Sequence, residues 1–404
     1  MKKIYIIDEC ISSAKNGIGT FLKAYVACLK SMSIDICLVV FNSEKAKFCI
    51  SYINGIKYMF FPEFPCRNFL DYPQIIDKFF RLYIEDTQDN IFSINHSPCI
   101  SFLKMLRHSY PLSKIIFTIH NQSWTSPFWG DYKKLHLLIK KRKNNTESNK
   151  FLLKYVNEEK NMYELVDVVI CLSQSTYHTL IDIYRINQDK IYLIPNGLAK
   201  CSSQLYTLSK AELRKQYAID EQEKLILFVG RLSKTKGIEA LIQAFEYVVK
   251  DIPQVRLLIA GCTINHSCYY PINKAVTRVT WLGQLSSNAL YKWYQMADIG
   301  IIPSYTEQCS YVGIEMMMHG LPVVASDGYG VSDMFQNGVN AVVAPIGRQK
   351  YPNEFSKSLA DALITLLLSN KLAKQLGENA REIYNKYYTI SCMKKKYRPL
   401  LDIL

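Results

Sequence analysis

Two carboxylates, Glu307 and Glu315, stand eight residues apart in Pro303-Ser-Tyr-Thr-Glu307-Gln-Cys-Ser-Tyr-Val-Gly-Ile-Glu315. Paired acids suggest acid–base hydrolysis, but that chemistry needs the carboxyls on opposite sides of a bond, and a loop-to-helix spacing does not supply this. The other reading is that each accepts protons from hydroxyl groups, which suits the vicinal diols of sugars. Ile314 and Met316 to Met318 flank Glu315, so it is read as an acid turned away from bulk water.

Two cations lie upstream in Phe228-Val-Gly230-Arg231-Leu-Ser-Lys-Thr-Lys236-Gly237. Cations at a helix start oppose its macrodipole, and an anion between Arg231 and Lys236 relieves the conflict. A diphosphate suits Arg as a fork and Lys as a point charge. Near the N-terminus, Ser12-Ser-Ala-Lys-Asn-Gly17-Ile-Gly19 follows an apolar run, and glycines at such a turn let backbone N–H groups approach a phosphate. The third glycine of the dinucleotide fingerprint is missing. His120 ends Ile115-Phe-Thr-Ile-His and is a candidate for proton handling or a sugar hydroxyl; His96, in Asn95-His-Ser-Pro, is a weaker one.

The elements that must position these groups alternate between short apolar runs and helical periodicity. Strands are expected at 4–7, 34–41, 56–61, 91–95, 115–119, 166–172 and 191–194. Helices are expected at 18–30, 73–83, 151–165 and 176–184. After Asn196-Gly197 and a polar, weakly helical connection (200–223), strands are expected at 225–229, 255–260, 279–281, 299–302, 323–325 and 341–343. Helices are expected at 237–249, 288–296 and around Glu315. Unbroken apolar runs indicate strands buried on both faces, hence parallel α/β sheets that bind ligands at the carboxyl ends of their strands. The expected layout is two Rossmann-like domains facing each other across a cleft. Residues 1–198 form an acceptor-side domain and 199–385 a donor domain, and the segment 386–404 is a candidate to pack back on the first.

The 404 residues carry a net charge of +14, spread evenly: 25 Lys and Arg against 18 Asp and Glu through Leu198, and 24 against 17 beyond. Dispersed charge argues against a nucleic-acid platform. Twelve cysteines without a CxxC pair read as reduced core thiols. The N-terminal apolar run meets Asp8 and Glu9 too soon for a signal peptide, and no run approaches a membrane span, so a cytoplasmic protein is expected. Lys140-Lys-Arg-Lys143, after the apolar Leu135 to Ile139, reads either as a solvated loop or as a peripheral contact with anionic lipid.

Together these pieces resemble a retaining glycosyltransferase of the GT-B fold, family four. The motifs that carry the likeness are Gly17 and Gly19, His120, Ile194-Pro-Asn-Gly197, the Gly230-Arg-Leu…Lys236-Gly turn, Ala297-Asp298…Pro303-Ser304, Glu307-x7-Glu315 and Gly320-Leu-Pro-Val-Val. The resemblance implies that Arg231 and Lys236 hold the donor diphosphate, Glu315 the donor ribose, and Glu307 and His120 the transferred sugar. It also implies that the amides near Ser310 and Tyr311 face phosphate or sugar hydroxyls. The chain departs from the family at Gln308-Cys309-Ser310, where Gly-Phe-Gly is common, and at Asn16-Gly17 in place of Gly-Gly.

The expected function is sugar transfer, with retained configuration, from a nucleotide-diphosphate sugar to a hydroxyl of a glycan, lipid or peptide. No metal or other cofactor is expected: the chain has no Asp-x-Asp, and cationic side chains can balance the leaving group. The alternatives are a sugar-phosphate phosphorylase or nucleotide-sugar epimerase on the same frame, or a non-catalytic nucleotide-sugar-binding partner of another enzyme.

Overall fold

Each apolar run that opens an α/β pair becomes a parallel strand in the computed structural model, which describes residues 2–9, 17–63, 72–95, 100–141, 146–200, 208–262, 276–347 and 352–404. The loop Ser12 to Asn16, His96 and the Arg142-Lys143 half of the basic run lie outside the described residues. The chain divides into two compact units. One comprises Met1–Phe128, Tyr132–Gly197 and Ile390–Leu404; the other comprises Trp129–Asp131 and Leu198–Thr389.

The first unit is built on an eight-stranded sheet of order β3-β4-β2-β1-β5-β6-β7-β8. The strands are β1 (Lys3–Glu9), β2 (Asp35–Ser43), β3 (Cys49–Ile53), β4 (Ile56–Pro62), β5 (Asn90–Ile94), β6 (Lys114–Thr118), β7 (Val168–Cys171) and β8 (Ile191–Leu193). β5 and β7 are buried along their whole length, as strands covered on both faces must be. β3 was not expected from the pattern. It pairs antiparallel with β4 through an Asn54-Gly55 turn whose backbone is left-handed at both residues. Asn-Gly is the residue pair such a two-residue hairpin demands. β3 is short and half-exposed, so it carries no apolar run by which to recognise it.

The helices of this unit are α1 (Gly17–Lys30), α2 (Tyr72–Tyr83), α3 (Ile100–Ser109), α4 (Tyr132–Lys141), α5 (Glu147–Leu165), α6 (Gln174–Asp182) and the C-terminal α13 (Ile390–Ile403). α3 and α4 are additions to the expected set. The α13 helix lies on α1. The Tyr397 and Tyr25 rings meet at 4.9 Å, and Lys394 and Lys396 donate to the carbonyls of Ser31 (2.6 Å) and Leu193 (3.2 Å).

The second unit has a six-stranded, wholly parallel sheet of order β11-β10-β9-β12-β13-β14. Its strands are β9 (Lys224–Val229), β10 (Val255–Ala260), β11 (Val279–Gly283), β12 (Ile299–Ile302), β13 (Val323–Ser326) and β14 (Val342–Ala344). Its helices are α7 (Lys210–Gln216), α8 (Ile238–Asp251), α9 (Ser287–Met296), α10 (Tyr311–His319), α11 (Pro352–Leu368) and α12 (Asn370–Tyr387). α8 and α11 cover one face, with Leu241, Phe245 and Val248 meeting Leu359, Leu363 and Leu366 in the core. Trp129–Asp131, which the sequence pattern leaves in the first domain, belong here because the Trp129 ring packs on this core.

Candidate active site

In the second sheet β9 is flanked by β10 and β12, and successive strands then run outward in both directions, so the chain reverses direction at the β9/β12 gap. Loops at the carboxyl ends of strands beside such a gap form a ligand crevice. Arg231, Lys236 and Glu307 all follow one of those two strands.

The turn after β9 passes through Gly230 and Arg231 into a short 3-10 helix, Lys234–Lys236, and then Gly237, which opens α8. Gly237 has φ 70°, and a β-carbon there would stand 2.0 Å from the Pro303 carbonyl oxygen at the end of β12. Only glycine lets the two loops approach this closely. The contact brings Lys236 to Glu307: the ammonium pairs with Glu307 Oε1, which also accepts from the Ser304 hydroxyl at 2.8 Å. Both partners are largely withdrawn from water, so the pair forms a shielded, charge-assisted hydrogen bond. Arg231 is exposed and makes no salt bridge among the described residues, leaving its guanidinium fork free to meet an anion.

Glu315 occupies the middle of α10. The Tyr294 hydroxyl of α9 donates to its Oε2 at 2.7 Å. Burial raises the carboxyl from the ordinary 4.5 to about 7, against the opposing effect of the Tyr294 bond. The Tyr294 phenol is itself held far above its usual range by burial and by the neighbouring carboxylate. The tyrosine ring also meets His319 in a tilted contact at 5.1 Å, and the His319 pKa is lowered to about 4 by burial and then by the Arg381 charge.

Ser310 is the N-cap of α10. Its hydroxyl accepts from the Gly313 amide at 3.3 Å, and its own N–H is directed at Met334 Sδ, a weak acceptor, at 3.2 Å. The buried Tyr311 hydroxyl has no hydrogen-bond partner among the described residues, and burial holds the phenol well above its usual range. Cys309, between Gln308 and Ser310, is a buried thiol.

The remaining sequence candidates lie in the first unit, where the strand order reverses beside β1. His120, just past β6, meets the Phe21 ring of α1 edge-on at 4.5 Å. Gly17 and Gly19 form the first turn of that helix. A β-carbon at Gly17 would meet nothing within 4 Å, so the packing of the described residues gives no reason for glycine there. Among the described residues no group of three or more His, Cys, Asp or Glu side chains is arranged to hold a metal ion.

Tyr294 escapes a reading by motif because it reaches its carboxylate only in three dimensions, whereas Ser304, already part of the Pro303-Ser304 motif, lies three residues from Glu307. Ser304 had a signal in its adjacency to Pro303 at a strand end; Tyr294 had none. The Gly328-Tyr329-Gly330 segment, whose Tyr329 carbonyl accepts from the Glu307 amide at 2.9 Å, was signalled by two glycines around an aromatic.

Two α/β units, each built on a mainly parallel sheet whose strand order reverses beside a central strand, have the GT-B fold. The chain belongs to the group 1 glycosyltransferases. The model described as "Glycosyl transferases group 1" matches residues 209–383, and that described as "Glycosyltransferase Family 4" matches residues 15–199. The chain is 30% identical over 227 residues to an uncharacterized glycosyltransferase of Methanocaldococcus jannaschii, covering 54% of this chain and 56% of the relative. It thus spans about half the length of the curated relatives it matches. Among solved structures, the fold is similar to sucrose-phosphate synthase from Thermosynechococcus elongatus (TM-score 0.74, 19% identity, all of both chains). It is similar also to Anabaena HepE in complex with UDP and glucose (TM-score 0.72, 17% identity, all of both chains).

Proposed function

We propose that this chain transfers a sugar from a nucleoside-diphosphate sugar to an acceptor hydroxyl, with retention at the anomeric carbon. The observation that carries the reading is the pairing of two carboxylates with separate polar partners beside the sheet-reversal gap: Glu307 with Lys236 and Ser304, and Glu315 with Tyr294. Two sugar-gripping carboxylates are served well by such partners, which fix each acceptor oxygen in place.

In this reading the donor diphosphate lies against Arg231 and Lys236, and its ribose diol against Glu315. Glu307 and His120 contact the transferred sugar, and the amides at the start of α10, beside Ser310 and Tyr311, add N–H donors. Gly17 and Gly19 leave room for a donor phosphate at the start of α1. As the bond to the sugar breaks, negative charge gathers on the diphosphate, and the two cations and the helix N-termini stabilise it where it develops. They supply charge that a metal ion supplies elsewhere, so none is required. The leaving phosphate takes the acceptor proton. The UDP complex of the HepE neighbour favours a uridine nucleotide.

The acceptor is a glycan, lipid or peptide. A lipid-linked one is compatible with α4, a lysine-rich helix whose Leu137 side chain is 49% exposed, resting peripherally on the inner face of a membrane. No described helix is long and apolar enough to cross a membrane.

Incubating the purified chain with a panel of nucleotide sugars and reading products by mass spectrometry tests the reaction. Slow release of free nucleoside diphosphate from one donor is expected. Epimerised sugar without acceptor, or sugar phosphate formed from inorganic phosphate, would replace transfer with one of the alternative chemistries.

A further inference from the structure

The segment between β6 and α4 leaves the first unit for three residues, Trp129–Asp131, which are built into the second. Trp129 (φ 52°) and Gly130 (φ 70°) are left-handed in succession. A tryptophan holds that conformation only where its surroundings over-determine it. Here a β-carbon at Gly130 would stand 2.7 Å from the Tyr305 carbonyl oxygen and 2.9 Å from Tyr329 Cβ, so the backbone itself lies against these two tyrosines. The Trp129 indole meets the Tyr305 ring edge-on at 4.6 Å, and Tyr305 meets Phe355 of α11 at 5.3 Å.

Tyr305 is the middle rung of a backbone ladder. Its N–H donates to the Thr235 carbonyl at 2.9 Å, its carbonyl accepts from Tyr329 at 3.1 Å, and the Tyr329 carbonyl accepts from Glu307 at 2.9 Å. Thr235 immediately precedes Lys236. The backbones that present Lys236 and Glu307 are therefore joined through the residue that Trp129 and Gly130 cover.

We propose that Trp129 and Gly130 are positioning residues that hold the Glu307–Lys236 pair in register. The role of that pair in sugar transfer rests on the function proposed above; the bracing itself does not. Removing the indole frees one side of Tyr305, and the displacement passes along the ladder to the Glu307 carboxylate. Small displacements of a positioned group slow the chemical step more than they weaken ground-state binding.

The test compares Trp129→Ala, Trp129→Phe and Gly130→Ala with the wild type by hydrogen exchange at the amides of Tyr305, Glu307 and Tyr329, and by donor turnover. In Trp129→Ala, exchange at these amides is expected to rise about tenfold or more, and kcat to fall about 10- to 100-fold with a smaller change in donor KM. Trp129→Phe is expected to restore most of both. Unchanged exchange at the three amides of Trp129→Ala overturns the proposal, as does a kcat loss that only tracks the unfolded fraction. Should Gly130→Ala fail to fold, the Ala and Phe variants of Trp129 carry the decision. If the wild type neither binds UDP in calorimetry nor consumes any nucleotide sugar, the functional reading fails, and the exchange data still decide the bracing.

Discussion

Glu315 is held at the edge of ionisation, which makes two measurements opposite in sign. Its carboxyl is raised from 4.5 to about 7 in the folded chain, so folding takes up a proton between those values. The stability this proton brings is whole below pH 4.5 and is lost as pH rises through about 7. Glu315→Gln cannot ionise, and its amide still accepts from Tyr294. The variant is expected to exceed the wild type by on the order of 2–3 kcal/mol near pH 8, the advantage fading towards pH 5. Urea denaturation at both pH values measures it, and a difference independent of pH would refute the burial argument. Ribose hydroxyls, in contrast, donate to the ionised form. UDP affinity of the wild type should therefore fall as pH is lowered from about 8 to 6, while Glu315→Gln binds more weakly with little pH dependence. Ser304→Ala removes one donor from Glu307 Oε1 and leaves Lys236 paired. A loss of about 1 kcal/mol in donor affinity or activation is expected, read as kcat/KM. Both carboxylates were visible in the sequence because one lay in a strand-end loop and the other in an apolar helix. Lys236 and Ser304 were in view as well, though not as partners of Glu307, whereas Tyr294 was not, since spacing along one chain segment does not reveal which side chain of a separate helix, here α9, arrives opposite.

At the scale of elements, the decisive joint is the one between the β9 turn and the β12 loop. A methyl group at Gly237 would have to displace the Pro303 carbonyl or the start of α8. Gly237→Ala should therefore cost more than the ~1–2 kcal/mol that a left-handed backbone alone imposes on alanine. The displaced loops should also weaken UDP binding by separating Lys236 from Glu307. Calorimetry with UDP checks this, and an unchanged affinity in a destabilised variant would confine Gly237 to a purely structural role. The strands of both sheets were legible because runs such as β7 and β12 are short and uninterruptedly apolar, which only a doubly covered sheet makes stable. β3 was not legible, although Asn54-Gly55 is a strong hairpin signal, because its own residues face water and carry no period. The same holds for Trp129-Gly130: a tryptophan, a glycine and an aspartate beyond the expected strand 115–119 read as an ordinary loop, and only tertiary contacts place them on the Glu307 loop.

At the scale of the whole molecule, the chain's last helix belongs to its first unit. α13 buries Tyr397 completely and sets its ring against Tyr25 of α1, while Lys394 bonds the Ser31 carbonyl just beyond the end of that helix. The start of α1 carries Gly17 and Gly19, and Phe21 of the same helix supports His120. Anchoring of α13 thus bears on the His120 side of the proposed chemistry and leaves the nucleotide grip of the second unit alone. Replacing Tyr397 by alanine removes a buried ring of the kind whose loss costs about 3–5 kcal/mol. Because the two units have separate cores, the loss should fall on one of them. In Tyr397→Ala, hydrogen exchange is expected to quicken in α1, β1 and β8 and to stay unchanged in β9, β12 and α10. UDP affinity should fall less than transfer to acceptor does, since Arg231, Lys236 and Glu315 belong to the undisturbed unit and only the α1 approach to the phosphate is loosened. Equal loss of protection in both sheets would show that the units fold as one cooperative body, and the division of labour between them would then have to be abandoned.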